Sequence, residues 1–171
     1  MEETFKRIPP EDVFITVFKR KPTEEELWMG VPPDFDGNRP SGNNLIDLFA
    51  YLIRKYGRMD TSEYARIMQL KTSELRGAIL AIGGMSAMEW RNRYLLLEAQ
   101  ELMERTDMSI TAIAAKLGFS QPSVFSKFFR TLTKSQPWEW RIEKKKSGLK
   151  PEENLSIATS KSAGNTCSNT R

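Results

Sequence analysis

The chain repeats itself at a spacing of 50 residues. Leu75 answers to Phe125, Ile79 to Phe129, Trp90 to Trp140 and Arg91 to Arg141. Upstream the offset is 49, with Ala65 matching Ala114 and Leu70 matching Phe119, so one residue has been added in the second copy. Chance likeness between amphipathic helices is the alternative, and paired tryptophans speak against it. Two similar units, each unable to exceed a few short elements, are the architecture this pattern allows.

Those elements are predicted to be helices. Residues 45, 46, 48, 49, 52 and 53 are apolar and fall on one side of a helix. Asp60 with Glu63, and Ser86 with Glu89, have capping-box spacing. The second box opens a long helix over 87–105. Ser109 is expected to cap a short helix, SITAIAAKL, and Gly118 to supply the sharp turn that follows. Ser120 is expected to cap the next helix, with Pro122 in its first turn. Pro137 opens a last helix, WEWRIEKKK. Residues 1–44 hold most of the prolines and read as an irregular extension of unknown role. Within it EDVFITVF (11–18) reads as a short strand, TEEELWMG (23–30) as a short helix, and 32–44 as a turn-rich linker. The Ser/Thr/Asn/Lys-rich end of the segment 142–171 is expected to be disordered.

Composition excludes a good deal. There is one cysteine, Cys167, and no histidine. An intramolecular disulfide, a zinc finger and a histidine general base are therefore absent, and no cofactor, metal or catalytic residue is expected. No apolar run approaches the roughly 18 residues of a membrane span, and no signal peptide is visible, so a cytoplasmic location is expected. Charge is uneven. Residues 1–44 carry 6 basic and 9 acidic side chains, 45–108 carry 9 and 9, 109–141 carry 5 and 1, and 142–171 carry 6 and 3. The positive second half suits a phosphate-bearing partner.

Residues 109–132 have the dimensions of a helix-turn-helix. Ile110, Ile113, Ala114 and Leu117 share one face of the first helix, and small Ala114 lets a second helix cross closely. On the second helix, residues advance about 100° each, so Phe125, Phe129 and Leu132 point to the core. Ser123, Ser126, Lys127 and Arg130 form a polar face. Small hydroxyls beside two cations fit a major groove, where hydroxyls permit close approach and cations meet guanine acceptors or phosphates. Gln121 and the helix start are placed to meet phosphate. Phe125, Phe128, Phe129, Trp90 and Trp140 read as core, and Lys144, Lys145 and Lys146 as a solvated helix end, with a non-specific DNA clamp as the alternative.

The stretch AQELMERTDMSITAIAAKLGFSQPSVFSKFFRTLTKSQPWEWR resembles the signature of the AraC/XylS regulators. Ala99, Leu102, Met103, Thr106, Ile110, Ile113, Ala114, Gly118, Phe119, Ser123, Phe125, Ser126, Lys127, Phe129, Arg130, Pro137, Trp140 and Arg141 fall in register. Ala65, Leu70, Leu75, Ile79, Gly84 and Ser86 match more loosely in the first copy. The resemblance implies an all-α, homeodomain-like DNA-binding domain over 45–141. Its parts would be a first helix-turn-helix unit (45–86), a linker helix (87–105) and a second unit (106–141). It implies a non-enzymatic transcription regulator whose partners are double-stranded DNA and RNA polymerase. Oligomeric state, operator and sign of regulation stay open. Expected DNA contacts are Ser120, Gln121, Pro122, Ser123, Ser126, Lys127, Arg130 and Arg141 in the second unit, with Lys127 and Ser123 on base edges. Weaker contacts are expected from Lys71, Thr72, Ser73 and Arg76 in the first. The sequence departs from the family where Lys134 replaces a usual glycine. In the first unit Gly77 stands where the second has Lys127, and Glu74 brings a negative charge toward the presumed DNA face. Two other readings remain: an architectural or mobile-element accessory DNA-binding protein, and an interaction adaptor whose first unit holds a partner helix.

Overall fold

The computed structural model describes residues 6–14 and 41–148. Among them are eight helices and no strand: α1 (Pro10–Val13), α2 (Asn44–Tyr56), α3 (Thr61–Ile67), α4 (Thr72–Gly83), α5 (Ala87–Arg105), α6 (Ile110–Lys116), α7 (Pro122–Thr133) and α8 (Pro137–Gly148). The all-α, two-unit architecture expected from the repeat is what the described residues adopt. Helix α5 is the shared element, packing on α2 and α4 of the first unit and on α6 and α8 of the second.

Local chemistry sets most boundaries. Asn43 Oδ1 accepts from the backbone N–H groups of Leu45 (3.1 Å) and Ile46 (3.3 Å), satisfying two orphan donors of α2. The box at α5 is complete: Glu89 N–H donates to Ser86 Oγ (3.2 Å), and Ser86 N–H donates to Glu89 Oε2 (3.0 Å). At α8 the same return contact recurs, with Gln136 N–H donating to Glu139 Oε2 (3.1 Å). Ser109 Oγ accepts from Ala112 N–H (3.1 Å), as expected for α6. The Ser120 expectation is corrected. Because Pro122 is the first helical residue, the N-cap of α7 is Gln121, and neither side chain caps it.

The two helix-turn-helix turns share one hydrogen-bond pattern. Leu70 N–H donates to Ala65 O, and Phe119 N–H to Ala114 O, both at 2.9 Å. Each turn needs one left-handed residue, Gln69 (φ 57°) in the first unit and Gly118 (φ 76°) in the second. The helix after each turn, α4 or α7, also ends on a left-handed residue, Gly84 (φ 72°) and Lys134 (φ 65°). A glycine would adopt the backbone at position 134 without strain, whereas an L side chain such as that of Lys134 is disfavoured there.

The core is aromatic in both halves. Phe49, Tyr64, Trp90 and Tyr94 are buried in the first, and Phe119, Phe125 and Phe129 in the second. Their rings lie 5.3–5.9 Å apart: Phe49–Tyr64 5.3 Å, Trp90–Tyr94 5.6 Å, Phe125–Phe129 5.9 Å. Phe128 is half-buried against Phe119. Leu132, expected in the core, is 39% exposed. It shares the azimuth of Phe125 but lies in the last turn of α7, and α6, only seven residues long, leaves it uncovered.

Residues 6–14 depart from the sequence reading. The strand expected from position 11 is instead the short helix α1, led by Pro9 and Pro10; positions 15–18, the helix expected at 23–30 and most of the 32–44 linker lie outside the described residues, as do 149–171. Residues 6–14 close over the first unit. Ile8 N–H donates to Ile82 O (2.9 Å), and the Trp90 Nε1–H donates to Ile8 O (3.1 Å). Val13 is buried, Phe14 meets Tyr94 edge-on at 5.4 Å, and Glu11 pairs with Arg93 (2.6 Å). Helix α8 continues past Arg141 to Gly148, carrying the three lysines into solvent at its end.

Candidate nucleic-acid interface

Helix α7 turns two faces to two environments. Phe125 and Phe129 are fully buried, while Ser123, Lys127 and Arg130 are exposed. Ser120, Gln121 and Pro122 are exposed at its start, and Ser126 is half-buried. The Ser126 hydroxyl donates to Pro122 O (2.9 Å), which keeps its profile low against the helix. Among the described residues neither Lys127 nor Arg130 has an acidic partner, so both cations face solvent uncompensated. The expected polar face is therefore formed, and its cations stand free.

Arg141 stands apart from that face. It is half-buried, and its Nε and Nη2 are shielded from water without a hydrogen-bond partner among the described residues. The repeat offers an account. Its counterpart Arg91 is buried and donates to Met59 O, and through Nε and Nη2 to Asn92 Oδ1 (3.2 and 2.9 Å). Burial lowers the Arg91 pKa from its usual value, with the nearby Tyr64 opposing that shift. In the second unit Asp107, beside Met108, is held below the usual carboxylate range by Lys145 (2.8 Å) and, more weakly, by Arg141.

The first unit presents a poorer surface. Lys71, Ser73 and Arg76 are exposed and Thr72 is half-buried at the start of α4. Glu74 Oε2 accepts from the Lys71 backbone N–H (2.8 Å), so its carboxylate serves the helix start while lying on this face. Gly77 occupies the position of Lys127, and a Cβ built there meets nothing within 4 Å. Leu80, 58% exposed, continues the face.

Between the units lies a seam that the sequence did not announce. Arg58 N–H donates to Leu117 O (2.9 Å). Gly57 (φ 68°) and Gly118 approach backbone to backbone: a Cβ on Gly57 would fall 2.6 Å from Leu117 C, and one on Gly118 would fall 2.8 Å from Arg58 N. Beneath them Glu98 and Glu101 of α5 are each 6% exposed. Burial pushes the Glu98 carboxyl up to about 7, against the opposing charges of Arg54 from α2 and Lys116 from α6. Glutamates on a helix wheel read as surface, so the sequence carried no signal of this buried charge.

Comparison with known proteins bears on this geometry. Residues 64–142 match the family described as "Helix-turn-helix domain". Regulatory protein PocR of Salmonella typhimurium (strain LT2) is 41% identical over 58 residues, covering 34% of this chain and 19% of PocR. The chain thus matches about a fifth of that relative. Two solved structures share the fold. The DNA-binding domain of AdpA, in complex with a target DNA, gives a TM-score of 0.56 at 20% identity over 63% of this chain and 97% of that one. The C-terminal domain of AraT, a response regulator from Geobacillus stearothermophilus, gives 0.54 at 19% identity over 59% and 86%. With the paired turns, the shared α5 and the free face of α7, they lead to one conclusion: residues 64–142 form a helix-turn-helix domain with the fold of these DNA-binding domains.

Proposed function

We propose that this chain is a transcription regulator that binds double-stranded DNA in a sequence-specific way, with α7 as its main reading helix. The observation that carries this reading is the face of Ser123, Lys127 and Arg130, exposed and without acidic partners on a helix anchored by two buried phenylalanines. Lys127 and Ser123 would touch base edges; Ser120, Gln121, Ser126 and Arg130 would set register against phosphates. The first unit would contribute backbone contacts through Lys71, Thr72, Ser73 and Arg76, because Gly77 and Glu74 weaken its face. Arg141 is assigned to holding α8 in place, by analogy with Arg91. AdpA is described in complex with a target DNA, which supports the same partner here. Recruitment or exclusion of RNA polymerase would follow from occupancy. Among the described residues no helix is long and apolar enough to cross a membrane, and no cluster of His, Cys, Asp and Glu suits a metal.

The test is selection of bound duplexes from a random pool, followed by Lys127→Ala. The variant is expected to lose about 1–3 kcal/mol on the selected duplex and much less on mixed-sequence DNA. Equal losses on both would remove Lys127 from base reading, and failure to enrich any sequence would overturn the regulator reading. Transcription with purified polymerase from a promoter carrying the selected sequence separates a regulator from an architectural protein.

A further inference from the structure

The seam carries a cation whose setting calls for an anionic partner. Residues 57–59 are pinned from three directions. The Tyr64 hydroxyl donates to Gly57 O and accepts from Met59 N–H (3.4 Å). The buried Arg91 guanidinium donates to Met59 O. Arg58 N–H is tied across the seam to Leu117 O (2.9 Å). On this fixed backbone the Arg58 side chain is exposed and lies over the Phe119 ring, 5.4 Å from its centroid. Phe119 precedes Ser120 and Gln121, the start of the reading helix.

Two other cations of the seam are engaged: Arg54 donates to the Tyr94 hydroxyl (2.9 Å) and Arg91 is buried. Lys116 is exposed, and its charge opposes the upward shift of the buried Glu98. Among the described residues Arg58 has no ion pair and donates no side-chain hydrogen bond. The repeat sharpens the contrast. At the offset of 49, Arg58 corresponds to Asp107, which pairs with Lys145 of its own unit (2.8 Å). Only the copy at the seam carries a cation, and it reaches into the other unit. Two units docked in successive major grooves would have the phosphates of the intervening backbone pass between them.

We propose that Arg58, held by the first unit against the turn of the second, binds a DNA phosphate between the two grooves. This inference rests on the DNA-binding reading above. It makes Arg58 a positioning residue, contributing affinity and register without sequence preference.

Anisotropy titrations with two fluorescent duplexes test it, one selected from the random pool and one of mixed sequence, each roughly 30 bp to span three helical turns. Binding is followed against salt. Arg58→Ala is expected to weaken both duplexes by the same factor, roughly five- to tenfold near 0.1 M salt, and to reduce the slope of log K against log salt by about 1. Arg58→Lys should restore the slope, which a purely structural arginine would not. An Arg58→Ala protein with an unchanged slope overturns the proposal, as does a slope lost in both variants. If the unaltered chain binds neither duplex, the DNA-binding reading itself fails, an outcome distinct from a silent Arg58→Ala in a chain that binds.

Discussion

The two units are built alike and finished differently. Both turns place an alanine carbonyl, Ala65 or Ala114, as acceptor for the residue that opens the next segment. Both hide two apolar residues of the recognition helix, Leu75 with Ile79 and Phe125 with Phe129. Yet the first offers Glu74, Gly77 and Leu80 where the second offers Val124, Lys127 and Arg130. The first is also closed over by residues 6–14, with Ile8 bonded to Trp90. One copy is invested in scaffold and the other in surface. A duplicated fold tolerates this division, since the core positions set the helix-turn-helix geometry and leave the outward positions free.

The comparison can be broken most forcefully at the tryptophans. Trp90 is fully buried, stacked on Tyr94 and bonded to Ile8, whereas Trp140 is half-buried. Trp90→Ala is expected to cost about 3–5 kcal/mol and Trp140→Ala about half that, read by urea unfolding. Equal costs would mean the scaffold is shared evenly.

Glu98 tests whether the seam is strained by buried charge. Its folded pKa, about 7, exceeds the usual carboxylate value, so the folded state retains a proton that the unfolded chain has lost. Stability should therefore fall as pH rises from about 4.5 to 7 and level off above, by at most about 3 kcal/mol. Glu98→Gln should flatten that part of the profile. A profile unchanged in the variant would place the titration elsewhere.

A smaller effect would narrow the difference between the two faces. A side chain at position 77 enters open space on an exposed helix. Gly77→Lys should stabilise the fold by roughly 0.5–1 kcal/mol and raise affinity for mixed-sequence DNA. If stability rises and affinity does not, the first unit does not lie on the duplex.

The least effect is expected where the units exchange roles. Each has one glycine and one ordinary residue at its two left-handed positions, Gln69 with Gly84 and Gly118 with Lys134. Lys134→Gly removes backbone strain but also the Nζ bond to Thr131 O (3.1 Å). Because the lost lysine bond offsets part of the relief, a net gain of no more than about 0.5 kcal/mol in thermal or urea unfolding is expected; a loss would show that the lysine bond outweighs the strain.

Much of this was legible in the chain. Ser86 and Glu89 give the start of α5 and Thr106 follows its end, so the expected 87–105 matches the helix found. The polar face of α7 follows from the spacing of Phe125 and Phe129 alone. What escaped has one physical source: tertiary contacts that leave no periodic trace. Leu132 has the azimuth of a core residue, but no element reaches its turn of the helix. Arg91, Glu98 and Glu101 look like surface until α2 and α6 close over α5. Ile8, Pro10 and Val13 are too few and too close to prolines to announce a packed segment. The backbone contact at Gly57 and Gly118 has no side chain to signal it. The repeat pairs Arg91 with Arg141, yet the buried setting of Arg91 and the half-buried setting of Arg141 came only with the packed helices.

The glycine-to-glycine approach has a consequence for the proposed DNA binding. Because main chain meets main chain at Gly57 and Gly118, the joint between the two units has no adjustable side chain to absorb a change in spacing. A base pair inserted between the half-sites would have to be accommodated by twisting or bending the duplex. The protein would then act as a fixed gauge, discriminating by the mechanical compliance of the spacer as well as by the letters on either side.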